Sequence, residues 1–436
     1  MSKDSINFRV HPSPSISGKA VIPGDKSISH RAIILSAIAD GNSKINNFLQ
    51  GDDTLATIDV FKKMGVDIKN NENFIKVKGV GLHGLYADDP IFDFGNSGTS
   101  VRLLAGLLSA QDFDSHLIGD ESLMKRPMLR VIKPLQEMNA KITCTNSGTL
   151  PINIIGNQKI KSIKYKLPIA SAQLKSCLLL AGLYANGTTE IYEKIETRDH
   201  TERMLTNFLH PVIKKDNQIY IKQANRLIGC EIDVPGDFSS AAYFIVGAVI
   251  TPNSNIILEN IGVNPTRSAM LKILKLMGAN IEIKDERLIS GEPVATIYAK
   301  TSELVGIDIP EDLVPAAIDE FPIILIAAAC AKGKTKLSGA FELRIKESDR
   351  IQSMADGFSG LGIKTELLDD GMIVEGGQFS GGIVDSSNDH RIAMAFSIAG
   401  TVAREPIIIN NCKNVSTSFP SFVMTAKEVG INIDYV

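Results

Sequence analysis

What the 436-residue chain lacks narrows its class before any motif is read. Its five cysteines, at 144, 177, 230, 330 and 412, show no C-x-x-C spacing, and an odd number cannot all pair within one chain, so reduced thiols are expected. No stretch approaches the roughly 18 uninterrupted apolar residues of a membrane span. The start, Met1 to Val10, carries early charges and no apolar signal core, which points to a cytoplasmic location. Neither a low-complexity segment nor a long Gly/Ser linker appears. The G-x-x-x-x-G-K-[ST] spacing of a P-loop and the H-E-x-x-H spacing of a zinc protease are both missing, so nucleotide and metal binding lose their main support. A formal net charge of -3 argues against general affinity for nucleic acid or anionic membranes, so any cationic site must be concentrated.

What is present describes an ordinary globular protein. Apolar residues make up 44% and charged residues 22%. The length exceeds what one hydrophobic core usually organises, so two domains are expected. Pro-Gly-Asp-x-Ser occurs twice, as Pro23-Gly24-Asp25-Lys26-Ser27 and Pro235-Gly236-Asp237-Phe238-Ser239. Each copy follows a short β-branched segment and precedes an apolar helical stretch, Ala32 to Ala39 or Ala241 to Val249. A finer pattern has a helix ending at a small or polar residue before a strand begins. It is clearest at Met64 to Ile68, Met138 to Ile142, Met277 to Ile281, Leu361 to Thr365 and Val429 to Ile433, with a degenerate sixth copy at Leu209 to Ile213. The spacing of roughly 70 residues is too long for a solenoid and predicts about six compact α/β units, three in each half. The expected domains are 21–236 and 1–20 with 237–436, joined by short hinge crossings near 20–22 and 235–240 that permit closure.

Cations, small-residue turns and isolated acids gather at the predicted helix starts. Gly24 to Arg31 leads a turn into a helix whose free amides and positive dipole end favour an anion, with Lys26 and Arg31 adding full charges; Ser27 reads equally as the N-cap. Gly95 to Arg102 offers backbone amides unshielded by side chains, or simply a tight turn before the helix Arg102 to Leu108. In Lys125-Arg126-Pro127, Arg126 suits a carboxylate through a bidentate pair, although a surface charge pair fits as well. Ser171 to Lys175 supplies a hydroxyl and an amide at the start of an apolar helix through Leu183, with a cap as the alternative. Arg198 to Glu202 has only one local histidine, so no metal site is expected there. Asp319 stands just before the apolar run Phe321 to Cys330, as a cap or a base. Lys346 and Arg350 fall four apart, as on one helical face, and Asn388 to Arg391 begins another apolar helix. Together the clusters suit a cleft for anions, although no single motif decides the reaction.

The order and wording of Gly24 to Arg31, Gly95 to Arg102, Leu343 to Arg350 and Asn388 to Arg391 resemble the EPSP synthase family, the 3-phosphoshikimate 1-carboxyvinyltransferases, and the likeness runs nearly end to end. Ser171 to Lys175, Arg198 to Glu202 and Asn264-Pro265-Thr266-Arg267 look like its class II. The resemblance implies an α/β protein of two domains, each three βαβαββ units arranged as an inverted α/β barrel, with the active site between them. It implies transfer of the enolpyruvyl group of phosphoenolpyruvate to the 5-hydroxyl of shikimate 3-phosphate, releasing phosphate through a tetrahedral intermediate, without metal or organic cofactor. Carried over segment by segment, Lys26, Ser27, Arg31, Ser171, Gln173, Arg198, Asp319 and Lys346 would bind shikimate 3-phosphate, with a backbone contact from Ala172. Lys26, Gly98, Arg126, Gln173, Glu347, Arg350 and Arg391 would surround phosphoenolpyruvate. Asp319 would accept the 5-hydroxyl proton and Glu347 or Lys26 would protonate the methylene carbon.

Two departures from the wider family are Ala172, where many relatives carry a second serine, and Ser418, near a position where class I members carry a lysine. Gly98 is the residue typical of members inhibited by glyphosate, so competition between glyphosate and phosphoenolpyruvate is expected, in a monomer. The related transferase acting on UDP-N-acetylglucosamine is the rival enzyme reading. Lys26-Ser27 in place of its Lys-Asn pair, and the lack of cysteine in the loop around 110–125, speak against it. A noncatalytic anion binder is disfavoured by Asp319 and Glu347, whose charge would only weaken such a site.

Overall fold

A computed structural model describes residues 6–71 and 74–436. The first five residues, part of the leader reading and of the expected second domain, lie outside that description. The repeat expected from the sequence is carried by one local device used six times. Helices Asp52–Lys63, Leu129–Glu137, His200–Asn207, Ala269–Leu276, Arg350–Gly360 and Phe422–Glu428 each end in a left-handed residue: Gly65, Asn139, Leu209, Gly278, Gly362 and Gly430, with φ between 60° and 95°. In every case the next amide turns back to a carbonyl five residues earlier, as in Val66 N to Phe61 O at 3.1 Å and Ala140 N to Leu135 O at 2.9 Å. This Schellman closure satisfies carbonyls left open at the helix end and aims the chain into a strand. Leu209 adopts it without glycine, at φ 60°, which is why the sixth copy is degenerate in sequence.

The described chain divides into two compact units, one of residues 24–234 with 289–292 and one of residues 6–23, 235–288 and 293–436. In the first, a typical repeat runs Ile91–Asp93, Gly98–Leu108, Ser115–Ile118, Leu129–Glu137, Lys141–Thr143 and Ile152–Ile155, which is βαβαββ. Its opening strand pairs parallel with the next (Phe92 opposite Leu117), and the remaining pairs are antiparallel (Leu117 opposite Ile152, Ile142 opposite Ile154). The repeat that begins the unit borrows its opening strand, Glu231–Asp233, from the unit's far end, where Ile232 faces Ile45.

The other unit builds the same sheets from distant pieces. Ser17–Ala20 pairs parallel with Asn255–Gly262, and Phe8–Val10 lies between Ile407–Asn410 and Ile433–Tyr435. The central repeat has a three-stranded sheet, Lys334–Leu337, Gly371–Glu375 and Thr365–Leu368, extended by isolated parallel bridges from Val305 and Asp308.

In each unit three helices are buried on nearly every side: Lys26–Ala37, Gly98–Leu108 and Ala172–Gly182 in the first; Phe238–Ile250, Phe321–Ala329 and His390–Gly400 in the second. Neighbouring helices and the inner sheet faces cover them, and each buried Leu or Ile contributes about 1.5–3 kcal/mol. Helices inside and half-exposed sheets outside give each unit the inverted α/β barrel arrangement. Among the described residues, no helix is long and apolar enough to cross a membrane.

Candidate active site

The three buried helices of the 24–234 unit meet at their first turns. Asp25 caps Lys26–Ala37, its Oδ1 accepting from Ile28 N at 2.9 Å; Ser97 caps Gly98–Leu108 and Ser171 caps Ala172–Gly182. Ser27 is therefore not the cap but lies inside the first turn. Gly24 has no room for a side chain, since a Cβ there would stand 1.8 Å from the Asn47 carbonyl oxygen. Side chains bind the helix starts to one another: His30 Nδ1 shares hydrogen bonds with Thr57 Oγ1 (2.8 Å) and Ser100 Oγ (3.1 Å), Arg102 donates to Gln173 Oε1 at 2.9 Å, and Gln173 donates to Thr99 Oγ1 at 3.1 Å. Three positive dipole ends and several cations thus face the same neighbourhood, an arrangement that attracts anions.

The cations differ in their freedom. Lys26 Nζ stands 2.5 Å from Asp53 Oδ2, with its side chain 21% exposed. Arg126 donates to Asn96 Oδ1, and its Nη1 would lie 2.9 Å from a Cβ at Gly98. Arg31, by contrast, is buried and donates to Thr201 Oγ1 (2.7 Å), Ser27 O (2.9 Å) and Ser176 Oγ (2.8 Å). Burial lowers its pKa to about 10, against the pull of Glu202 and Asp25, so it remains charged at neutral pH. His30 is held neutral, first by burial and then by Lys26 and Arg31. Lys125 forms an exposed pair with Glu121 at 2.7 Å, the surface alternative open in the sequence.

Arg198 precedes the helix His200–Asn207 and lies near enough to Arg31 to lower that pKa further. Beneath it, Lys175 is fully buried among Glu193, Glu202 and the Thr197 carbonyl. His200 Nδ1 pairs with Glu292 Oε1 at 2.8 Å, both side chains buried. Among the described residues no group of three or more His, Cys, Asp and Glu side chains is arranged to hold a metal ion.

The second unit repeats the plan with acids at the helix starts. Asp237 caps Phe238–Ile250 and Asp389 caps His390–Gly400, while Asp319 and Glu320 immediately precede Phe321–Ala329. Four cations surround Asp319: Lys346 at 3.3 Å, Arg350 at 3.5 Å, and Arg391 and Arg267 at 3.9 Å. Arg391 also donates to the Asp319 carbonyl at 3.0 Å. Arg350, 1% exposed in its side chain, grips Asp389 through Nε at 2.8 Å and pairs with Glu347 at 2.6 Å. Burial opposes the charge on Arg350, but Asp389 and Glu347 outweigh it and hold the guanidinium more firmly protonated than usual. Burial alone would likewise raise the Asp389 pKa, and Arg350 overrides it, so that carboxylate stays below its ordinary range.

One expected geometry does not hold. Lys346 and Arg350 do not share a helical face, because Phe341–Ile345 is a 3-10 turn, Arg350 opens a new helix capped by Asp349, and the intervening chain is irregular. They meet at Asp319 through tertiary packing instead. Asp53, Glu193, Glu320 and Arg267 were not assigned roles from the sequence. Asp53 reads there as an ordinary first-turn acid, and Arg267 carried only the signal of its Asn-Pro-Thr-Arg setting.

Comparison with known proteins adds to this geometry. The family model described as EPSP synthase (3-phosphoshikimate 1-carboxyvinyltransferase) matches residues 10–425. The chain belongs to the EPSP synthase family. It is 54% identical over 430 residues to the 3-phosphoshikimate 1-carboxyvinyltransferase of Legionella pneumophila (strain Lens), covering 98% of this chain and 99% of that one. It is 52% identical over 435 residues to the enzyme of the same name from Methylococcus capsulatus, each chain covered in full. Among solved structures, EPSP synthase from Acinetobacter baumannii superposes with a TM-score of 0.89 at 49% identity, covering 99% of this chain and 100% of that one. The enolpyruvyl transferase NikO from Streptomyces tendae gives 0.81 at 14% identity over 99% of each chain, a likeness of fold alone.

Proposed function

We infer that this member of the family transfers the enolpyruvyl group of phosphoenolpyruvate to the 5-hydroxyl of shikimate 3-phosphate, releasing phosphate, on the shikimate pathway to chorismate and the aromatic amino acids. The observation that carries the activity is the match along the whole chain to 3-phosphoshikimate 1-carboxyvinyltransferases at 52% and 54% identity.

In this reading Ser27, Ser171, Gln173, Arg198 and Lys346 hold shikimate 3-phosphate, with Ala172 offering only backbone. Arg126, Arg350 and Arg391 hold the carboxylate and phosphate of phosphoenolpyruvate, and Lys26 reaches both substrates. Gly98 leaves space beside Arg126. Guanidinium groups suit these roles because their planar donors match two acceptor oxygens at once. Arg31, committed to Thr201, Ser176 and the Ser27 carbonyl, supports this set from beneath.

Asp319 takes the proton of the 5-hydroxyl. Four cations stand within 4 Å of its carboxylate, and anionic substrates compete with it for them. Glu347 or Lys26 delivers a proton to the methylene carbon as the 5-oxygen bonds to the adjacent carbon; the methyl group so formed then gives a proton back as the carbon–oxygen bond to phosphate breaks, and the fixed cations offset the negative charge of the departing phosphate. The protein works as a cytoplasmic monomer, and glyphosate competes with phosphoenolpyruvate.

A phosphate-release assay tests the activity. Release is expected only when phosphoenolpyruvate and shikimate 3-phosphate are supplied together, and unchanged by a chelator. Release with UDP-N-acetylglucosamine in place of shikimate 3-phosphate would overturn the assignment.

A further inference from the structure

We propose that Lys175 is a positioning residue for the phosphorylated substrate: with Glu193 it clamps Thr197 and thereby presents Arg198, without touching substrate itself. The inference rests on the reading of Arg198 as a phosphate ligand.

The segment between strand Thr188–Tyr192 and helix His200–Asn207 has no regular structure, so no ladder of backbone bonds fixes it. Thr197 nevertheless has all its polar groups tied down. Its amide and its hydroxyl both donate to Glu193 Oε2, at 3.1 and 2.8 Å, and its carbonyl accepts from Lys175 Nζ at 3.0 Å. The next residue is Arg198, so the clamp sets where that side chain leaves the backbone.

A lysine with no exposed side-chain surface is costly, and an apolar residue would fill the same helical position without that cost. Its burial is compensated with care. Lys175 faces Glu193 at 3.2 Å and Glu202 at 2.8 Å, and Arg31 supplies the second cation, reaching Ser176 beside Lys175 and Thr201 beside Glu202. Two cations and two acids therefore bind three helices and the irregular segment into one block. Glu202 has its pKa raised by burial, with Lys175 pulling it back. Such a cluster fixes geometry more than it adds stability, since buried ion pairs roughly offset their own desolvation.

The test uses the full-length enzyme and the double variant K175M/E202Q, which removes one charge of each sign and leaves Arg31 facing Asp25 and Glu292. It is expected to fold with a melting temperature near that of the parent. Its KM for shikimate 3-phosphate should rise about tenfold, while kcat and the KM for phosphoenolpyruvate stay within about twofold, as misplacement of one binding group requires. The milder Thr197→Val, which loses only the 2.8 Å hydroxyl bond, should raise the same KM by a smaller factor. R198Q is measured alongside, and combining it with K175M/E202Q should add little. A normal KM for shikimate 3-phosphate in K175M/E202Q, with R198Q impaired, overturns the clamp. A normal KM in R198Q overturns the underlying assignment of Arg198 and the clamp with it.

Discussion

Replacing Gly98 with alanine separates the fold from the site. The added methyl would stand 2.9 Å from Arg126 Nη1 and 3.1 Å from Arg102 Nη1, whereas an ordinary contact needs roughly 3.5 Å. Both neighbours are tips of long side chains, so they yield by about half an ångström without disturbing the backbone. In the first turn of Gly98–Leu108 alanine is also favoured over glycine by up to ~1 kcal/mol. The site bears the cost. Arg126 is displaced from the position its bond to Asn96 sets, and weakening its charged hydrogen bond to phosphoenolpyruvate by about 1.4 of the ~1.5–3 kcal/mol available corresponds to tenfold in affinity. Steady-state kinetics of Gly98→Ala at saturating shikimate 3-phosphate should therefore show a KM for phosphoenolpyruvate raised about tenfold, with kcat much less affected. Thermal melting should be unchanged or slightly higher. An unchanged KM, or a clear fall in stability, would refute the reasoning.

Glu347→Gln keeps a hydrogen-bonding group beside Arg350 but removes the acid, so turnover should fall by about 10²–10⁴ with far smaller changes in KM; unchanged turnover excludes Glu347 as proton donor. Asp319→Asn should cut kcat by a similar ~10²–10⁴ while leaving the KM for phosphoenolpyruvate no higher, because Lys346, Arg350 and Arg391 lose a competing anion. A raised KM with intact kcat would show that Asp319 positions rather than accepts. Folded His30 stays neutral where the unfolded chain takes up a proton near pH ~6.5, so its contribution is complete above that pH and lost as pH falls, by up to ~1.4 kcal/mol per unit. Urea melts of His30→Asn between pH 6.5 and 5 should be flatter with pH than those of the parent; equal slopes would mean that His30 does not govern acid sensitivity.

Local rules made much of the architecture legible. A helix end that must turn left-handed into a strand favours glycine or asparagine, so five of the six closures stand out in the sequence, and Leu209 is hidden because a residue unsuited to that conformation holds it. The helix starts were equally visible as turns rich in Gly, Ser and Asp. Partners distant along the chain were not. Asp53 beside Lys26, Asp389 beneath Arg350 and Glu193 beneath Thr197 each look like ordinary solvated acids until the sheets bring them inside. The false helical pairing of Lys346 with Arg350 has the same origin: spacing of four suggests a shared face, but Asp349 begins a new helix between them. Arg31 shows the reverse, a motif cation that turns inward because Thr201, Ser176 and a carbonyl oxygen satisfy it there.

The interleaving of the strands also bears on the order in which the protein can be made. The unit formed by residues 24–234 is nearly continuous, and synthesis at about 5–20 residues per second lets it consolidate on the ribosome while the rest is still emerging. Phe8–Val10 must wait for partners at Ile407–Asn410 and Ile433–Tyr435, on the order of tens of seconds at that rate. A nascent chain halted near its last thirty residues would hold one finished lobe and an edge with no neighbour, a natural substrate for chaperones.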